Sequence, residues 1–589
     1  MKQLMTILTE QLAEDFQAAG YDPSLSTVRA SDRPDLCEYQ CNGAMAAAKQ
    51  YHKAPYMIAE EVAAKSAERK DSAFTAEAVR PGFLNLRVRP EFLASYIREM
   101  ALPEKIEIPQ VEKPKTIIVD YGGPNVAKPL HVGHLRAAVI GESIKRIAKA
   151  VGNNVLGDIH LGDWGLQIGL VITEIRHRHP ELPYFDENAD TWPAEPPFTV
   201  SELEEIYPTA SARSKEDEAY KEEALQATHE LQEGRPGYRA LWKQILNVSV
   251  ADLRRNYERL DVHFDLWKSE SDAQPYIPGV IEKLEKDGLA YVDQGALVVD
   301  VSEETDKKEM PPCIIRKSDG ASLYSTTDIA TIVERMKLFD PDEMIYVVDK
   351  RQGMHFEQVF RVVRKAGIVK PDTELYFAGF GTMNGKDGKP FKTRDGGVMR
   401  LESLLNEIEE EMRVKIRDNK NVRAEDAEDT AAKVALAAVK YGDLSNQASK
   451  DYVFDTDKFT SFEGNTGPYI LYTLVRIKSI LEKMTDEDRA GAEKKPILPP
   501  ENADEKSLML SLTDFAPAVQ SAYEELAPHK LCAYIYRVSN EFNRFYHGTK
   551  ILSEENAAKR QSYLSLLGLV REVLECCIDL LGFSAPEHM

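Results

Sequence analysis

The stretch that most restricts the fold runs from residue 116 to 151, where "TIIVDY" is followed by "GGPNVAKPLHVGHLR" and then by a helical run. A short, nearly all-apolar, β-branched segment is the pattern of a strand buried on both faces, as in parallel sheets. The glycines and prolines of the next stretch end it. From Arg136 onward, Ile140, Ile144, Ile147 and Val151 recur on one helical face. Strand, Gly/Pro loop and helix open a doubly wound α/β domain, whose ligands sit at the carboxyl ends of the strands, where this loop lies. The fold class expected is therefore α/β, with a Rossmann-like doubly wound parallel sheet.

A chain of 589 residues is too long for one core, so the sheet domain has companions. Residues 1–112 read as a small N-terminal α/β add-on. It has an opening helix, a helical stretch with Ala44, Ala47, Ala48 and Tyr51 in register, and the strand-like "GFLNLRVR"; the proline- and charge-rich "PEKIEIPQVEKPK" serves as linker. Residues 113–400 form the sheet domain, with "ALVVDV" and "MIYVVD" expected to resume the sheet. Its stretch 181–234, proline-rich and then charge-dense, reads as a surface insertion. Residues 401–456 are a helical connector, and 457–589 an all-α bundle.

The composition excludes several classes. Six irregularly spaced cysteines supply neither a disulfide framework nor a zinc ribbon, which fits a reducing cytoplasm. Glu10, Glu14 and Asp15 stand where a signal peptide needs an apolar core, and no apolar run of about 18 residues occurs, so no membrane partner is expected. The formal charge of −23 argues against a polyanionic partner only on average, since a local basic surface can still hold nucleic acid.

His131 and His134 stand at the mouth of the expected helix, with Lys128 upstream and no carboxylate between them. They admit three readings: ordinary histidines, half of a metal site, or donors to a nucleotide phosphate. A metal site lacks its third and fourth ligands nearby, so no metal site is expected. Phosphate binding accounts for Gly122, Gly123 and Gly133, because a backbone without Cβ admits close approach, and for the missing carboxylates, which would repel a triphosphate. No Walker sequence is present, and "GFGTMNG" has the wrong glycine spacing for a dinucleotide fingerprint.

"HVGH" resembles the signature of class I aminoacyl-tRNA synthetases and related nucleotidyltransferases, and "PNVAKPLHVGHLR" resembles its arginyl form. Further blocks in the arginyl order are "HLGDWGLQIG", "SDGASLYSTTDIA", "YVVDKRQGMHFEQVF", "GKDGKPFKTRDGG" and "FEGNTGPYILY", so the likeness to bacterial arginyl-tRNA synthetases runs along nearly the whole chain. It implies ATP-dependent ligation of L-arginine to tRNA(Arg) through an arginyl-adenylate, with ATP and Mg2+ entering as one substrate. His131, His134, Lys128, Lys389 and Lys392 would be catalytic. Asp120, Asn125, His131, Tyr324, Asp328 and Gln352 would bind arginine, and Gly133, His134, His355 and Lys392 would bind ATP, with Gly133 giving the adenine room. The likeness also implies a tRNA-elbow grip for the N-terminal unit, stem contacts for 401–456, and a monomer. A guanidinium pairs bidentately with carboxylates, so a site built for it rejects other side chains without an editing domain.

Two departures stand out. The second class I loop, "GKDGKPFKTRDGG", lacks the usual lysine-methionine-serine-lysine-serine pattern. The resemblance to arginyl enzymes that share this change implies that Lys128 supplies part of the missing charge, alongside Lys389, Lys392 and Arg394. "GGPN" stands where many relatives read Ser-Ser-Pro-Asn, with the backbone course expected to survive. In the tail, aromatics alternate with basic residues, and Tyr534, Arg537, Arg544 and Tyr546 are expected to bind tRNA by stacking bases and neutralising phosphates. Read without the likeness, most of those aromatics are bundle core. The alternatives are a nucleotidyltransferase that never touches RNA and a catalytically silent, synthetase-like RNA-binding protein.

Overall fold

The computed structural model describes residues 1–103, 105–318, 323–389, 399–417 and 426–589. In the N-terminal unit four strands, β1 (Val28–Ala30), β2 (Tyr39–Cys41), β3 (Phe74–Val79) and β4 (Phe83–Val88), pair antiparallel in the order β1-β2-β4-β3. The helix Leu4–Ala18 buries Leu4, Leu8, Leu12 and Phe16 into the same core as Leu84, Leu86 and Val88.

The central sheet takes β5 (Thr116–Tyr121) and β6 (Asn154–Asp158) from the segment singled out above. After the antiparallel meander β7 (Ala290–Asp293), β8 (Ala296–Val299) and β9 (Cys313–Arg316), it adds β10 (Glu343–Val347) and β11 (Glu374–Phe377). All four sheet strands are parallel, in the order β11-β10-β5-β6. Successive side chains of a strand point to opposite faces, and the two faces meet different cores. Ile117 and Val119 join Ile345 and Val347 with the helix Val132–Ala150, whereas Ile118 joins Met344 and Tyr346 with the helices Tyr324–Leu338 and Gly353–Lys365. Being covered on both faces is what makes the middle of β5 apolar. "ALVVDV" does not resume this sheet: β8 lies in the separate meander, and an apolar run of four cannot specify which sheet it joins.

From β5 the chain crosses through the helix Val132–Ala150 to β6 on one side, while β10 and β11 lie on the other. The strand order therefore reverses between β5 and β10, which places a crevice at their carboxyl ends.

The stretch 181–234 is not a surface appendage. Its helices Val200–Glu216 and Glu218–Glu233 bury Leu203, Ile206, Ala227 and Leu231 into the main core, and Tyr220 donates to Glu174 at 2.7 Å. Charged residues dominate its sequence because only one stripe of each helix is covered.

The helical part packs on the sheet domain through Arg136, only 1% exposed, which donates to Asp443 at 3.0 Å and to the Gly381 carbonyl at 2.6 Å. Tyr452 donates to the same Asp443 carboxylate at 2.9 Å. No helix among the described residues is long and apolar enough to cross a membrane.

Candidate active site

The loop after β5 follows a course that only glycine allows. Gly122 has φ +73°, and its carbonyl accepts from the Tyr257 hydroxyl. A Cβ on Gly123 would lie 2.3 Å from the Ile159 carbonyl oxygen. Glycine suits both positions of this course, since Gly122 is left-handed and Gly123 has no room for a Cβ. Asn125, exposed, runs beside Gly162, and Ala127 turns at φ +59° with its N–H held by Ser249 Oγ at 3.0 Å. The ammonium of Lys128 then rests 4.2 Å from the centre of the Tyr207 ring.

His131 is the N-cap of the helix Val132–Ala150. Its Nδ1 accepts from the Gly133 N–H at 3.0 Å, and His134 Nδ1 accepts from the His131 N–H at 3.1 Å. The two imidazoles thus take the parts of a capping box, with ring centres 3.9 Å apart. A backbone N–H can only donate, so both Nδ1 atoms are bare and each neutral ring carries its proton on Nε2. Burial, then the Lys128 charge, lowers the His131 pKa; burial, then His131, pushes His134 down to about 3. The pair is neutral at physiological pH and offers Nε2–H donors at a helix N-terminus. A Cβ on Gly133 would lie 2.7 Å from His131 Cε1, so this glycine first makes room for the capping ring.

On the β10 side, Tyr324 opens the helix Tyr324–Leu338 and is 73% exposed, and Asp328 follows one turn later. Asp328 Oδ2 lies 2.5 Å from His355 Nε2. Residues expected to serve different substrates, arginine and ATP, are therefore hydrogen-bonded to each other. Gln352 is exposed on the turn Lys350–Gln352 that follows β10. Asp120, expected to touch the amino acid, accepts from Arg335 Nη2 at 2.5 Å, and Arg335 also donates to Asp158 at 2.7 Å. Arg335 is 2% exposed. Burial works against its charge, but Asp120 first among the neighbours holds its pKa well above the ordinary value. This ion pair ties β5, β6 and the Asp328 helix together, a long-range pairing that no local pattern announces.

A second carboxyl escaped the sequence reading. Glu270 begins a short helix, Glu270–Ala273. Burial, then the charges of Asp163 and Asp328, raise it to about 8. Asp163 accepts from the Ser271 N–H at 2.9 Å and hydroxyl at 2.6 Å, which fixes that helix start. Asp163 belongs to the quoted "HLGDWG" block, the one local signal that pointed here.

The second signature loop returns to the histidines. Lys389 is exposed, with its carbonyl accepting from Gly385 at 2.7 Å, and Lys386 is paired with Asp455 at 3.0 Å and Asp457 at 2.9 Å. Lys392 and Arg394 lie outside the described residues. Beyond them the Met399 carbonyl accepts from Val132 at 3.0 Å, and Leu401 donates to the Leu130 carbonyl at 2.9 Å. The end of the loop is thus paired alongside His131.

In the tail, Tyr534 is 4% exposed, so its expected role in stacking an RNA base is corrected. With Leu531, Ile535, Val538, Phe542 and Phe545 it forms the buried seam of the helix Pro528–Gly548. Arg537 and Arg544 are exposed, paired with Asp514 at 2.6 Å and with Glu541, and Tyr546 is half-buried, with Arg476 5.1 Å from its ring centre.

Residues 98–456 match the family model for the class I tRNA synthetase (R) catalytic domain, residues 3–88 the arginyl-tRNA synthetase N-terminal domain, and residues 470–589 the DALR anticodon-binding domain. The chain is 62% identical over 600 residues to the arginine-tRNA ligase of Agathobacter rectalis, covering 100% of both. It is 54% identical to that of Alkaliphilus oremlandii, covering 99% of this chain and 100% of the relative. Among solved structures, the arginyl-tRNA synthetase of Plasmodium falciparum superposes with a TM-score of 0.80 at 24% identity, covering 100% of this chain and 99% of its own. That of Thermus thermophilus does so with a TM-score of 0.75 at 25% identity, covering 100% of both. A two-sided parallel sheet with a capping histidine pair at its switch point, joined to relatives of this identity over the full length, places the chain in the arginyl-tRNA synthetase family of class I aminoacyl-tRNA synthetases.

Proposed function

We propose that the chain joins L-arginine to tRNA(Arg) at the expense of ATP. An arginine carboxylate oxygen attacks the α-phosphorus, the bond to the bridging oxygen breaks, and pyrophosphate leaves with its Mg2+. A ribose hydroxyl of the terminal adenosine of the tRNA then attacks the carbonyl carbon, and AMP leaves. The observation that carries this reading is the chemistry of the crevice. The mouth of the helix Val132–Ala150 contributes neutral Nε2–H donors, and the segments after β6 and before β10 contribute the carboxyls Glu270 and Asp328.

His131 and His134 donate to phosphoryl oxygens, and they do so as dipoles already oriented by the backbone, with little reorganisation at the moment of attack. Lys128, Lys389 and Lys392 balance the charge of the leaving pyrophosphate. Asp328 has acceptor positions for both His355 and a guanidinium, and Glu270 supplies the second carboxylate of the fork. Tyr324, Asn125 and Gln352 border the arginine, Gly133 and His355 the nucleotide. Asp120 acts through Arg335. Exposed Arg537 and Arg544, with Tyr546, contact tRNA on the helical side, and the N-terminal unit grips the elbow. The chain works as a cytoplasmic monomer.

The changed lysine loop points to tRNA as the trigger for adenylate formation: binding free energy from the RNA offsets the cost of ordering the loop. Arginine-dependent exchange of pyrophosphate into ATP should be nearly absent with the protein alone. It should appear with tRNA(Arg), including tRNA whose terminal adenosine has been oxidised. Robust exchange without RNA would refute the trigger, and absence of arginine charging with tRNA(Arg) present would refute the function.

A further inference from the structure

The inserted helix Val200–Glu216 carries, three residues apart and hence on one face, two side chains that hold the cationic parts of the crevice. The ring of Tyr207 lies 4.2 Å from the Lys128 ammonium. Glu204, its side chain only 11% exposed, pairs at 2.6 Å with Arg400. Arg400 is the second described residue after the signature loop, and its backbone is bridged to His131. The turn that carries Lys128 is itself anchored through the Ala127 N–H on Ser249. The four-carbon stem of Lys128 leaves that turn and ends with its ammonium over the Tyr207 ring. Lys128 is near enough to both histidines to lower their pKa values, so its direction bears on the place where phosphates are held.

We propose that Tyr207 and Glu204 are positioning residues for adenylation. Tyr207 orients Lys128 by a cation–π contact, and Glu204 anchors the end of the signature loop beside His131. The inserted helix is thus the back wall of the phosphate subsite. This rests on the adenylation reading above. Neither side chain needs to touch substrate. Lys128 is strongly hydrated and flexible, and a ring face restricts it without consuming its hydrogen-bond donors.

Exchange of pyrophosphate into ATP, measured with arginine and tRNA(Arg) present, tests the proposal. Tyr207→Leu should lower kcat roughly five- to thirtyfold, the range of a partly desolvated cation–π contact, and leave the arginine KM unchanged. Tyr207→Phe keeps the ring face and should stay within about twofold of the parent. In a Lys128→Met background Tyr207→Leu should cost less than about twofold further, because the group it positions is gone. Glu204→Arg should lower kcat severalfold, and the exchanged pair Glu204→Arg with Arg400→Glu should restore most of it. A Tyr207→Leu loss that is equally large with or without Lys128, or a parent-like rate in Tyr207→Leu, overturns the Tyr207 role. Charge exchange without recovery overturns the Glu204 role. If the unmodified chain shows no exchange under these conditions, the adenylation reading falls and takes this proposal with it; exchange in the parent with purely additive variants removes the positioning roles alone.

Discussion

The helix mouth at His131 and the helix Pro528–Gly548 use similar side chains, aromatic or imidazole rings beside lysines and arginines, to opposite effect. At the mouth, the rings are partly buried and their Nδ1 atoms are taken up by backbone N–H groups, leaving the other nitrogen for a ligand. In the tail helix, Tyr534, Phe542 and Phe545 are buried in the seam, and the arginines are left outside as an exposed fringe. The crevice is built by topology, where the strand order reverses and no helix can cover the strand ends. The seam is built by periodicity, where a neighbouring helix covers one stripe. Ring-plus-cation composition therefore marks a site only where the fold leaves an opening.

The largest effect that would sharpen this contrast comes from His134→Ala. It removes a phosphate donor and half of the capping box. Adenylation should fall by about two to four orders of magnitude, roughly 3–5 kcal/mol of transition-state stabilisation, and the helix should lose about 1 kcal/mol. Near-normal exchange at saturating ATP would break the comparison at its catalytic end. In the tail, Phe542→Ala should cost about 3–5 kcal/mol of stability through the cavity it leaves, with charging per folded molecule little changed. Denaturant unfolding beside charging kinetics separates the two. Tyr534→Phe should be neutral or stabilising, since the hydroxyl has no hydrogen-bond partner among the described residues.

Asp328→Asn should raise the arginine KM by about a hundredfold and leave ATP binding alone, because one partner of a charge-assisted fork is lost. An unchanged KM would remove Asp328 from the pocket. A smaller effect is set by pH. Glu270, raised to about 8, is protonated in the free pocket below that pH, whereas a guanidinium favours its ionised form. Arginine binding should therefore release a proton and tighten up to about tenfold per pH unit as pH rises toward 8, then level off. Calorimetry in buffers of different ionisation enthalpy reads that proton directly, and Glu270→Gln should flatten the profile. The smallest effect is expected of Arg537→Ala. Its part-exposed pair with Asp514 should contribute about 1 kcal/mol or less to stability, while tRNA affinity falls severalfold and more steeply at low salt. An effect on stability larger than the effect on tRNA would make Arg537 a structural residue.

Local pattern carried far in this chain. "TIIVDY", the broken loop and the helix after it are short-range features, so the parallel strand β5, its crossover and the histidine pair at its mouth could be read before any coordinates. The same holds for the surface character of Arg537 and Arg544. Spacing along the tail helix also indicated which residues share a stripe; it did not say which stripe a neighbour would cover, and that choice moved Tyr534 from the RNA surface to the core.

Other features depended on partners far apart in sequence. Arg335 reaches Asp120 and Asp158, Glu270 approaches Asp328, and Tyr207 meets Lys128 across the insertion. Each depends on where the sheet brings distant segments, and nothing within a window of ten or twenty residues distinguishes these side chains from solvated ones. The strand β8 went astray for the same reason, since four apolar residues are equally at home in a parallel sheet or a meander. Sequence alone determined most of the elements and the placement of the histidine pair at a helix mouth, because propensity, periodicity and motif spacing act over a few turns. Tertiary structure decided which charges are paired, which rings are buried and which walls the crevice has, because these follow from long-range packing and from the desolvation that packing imposes.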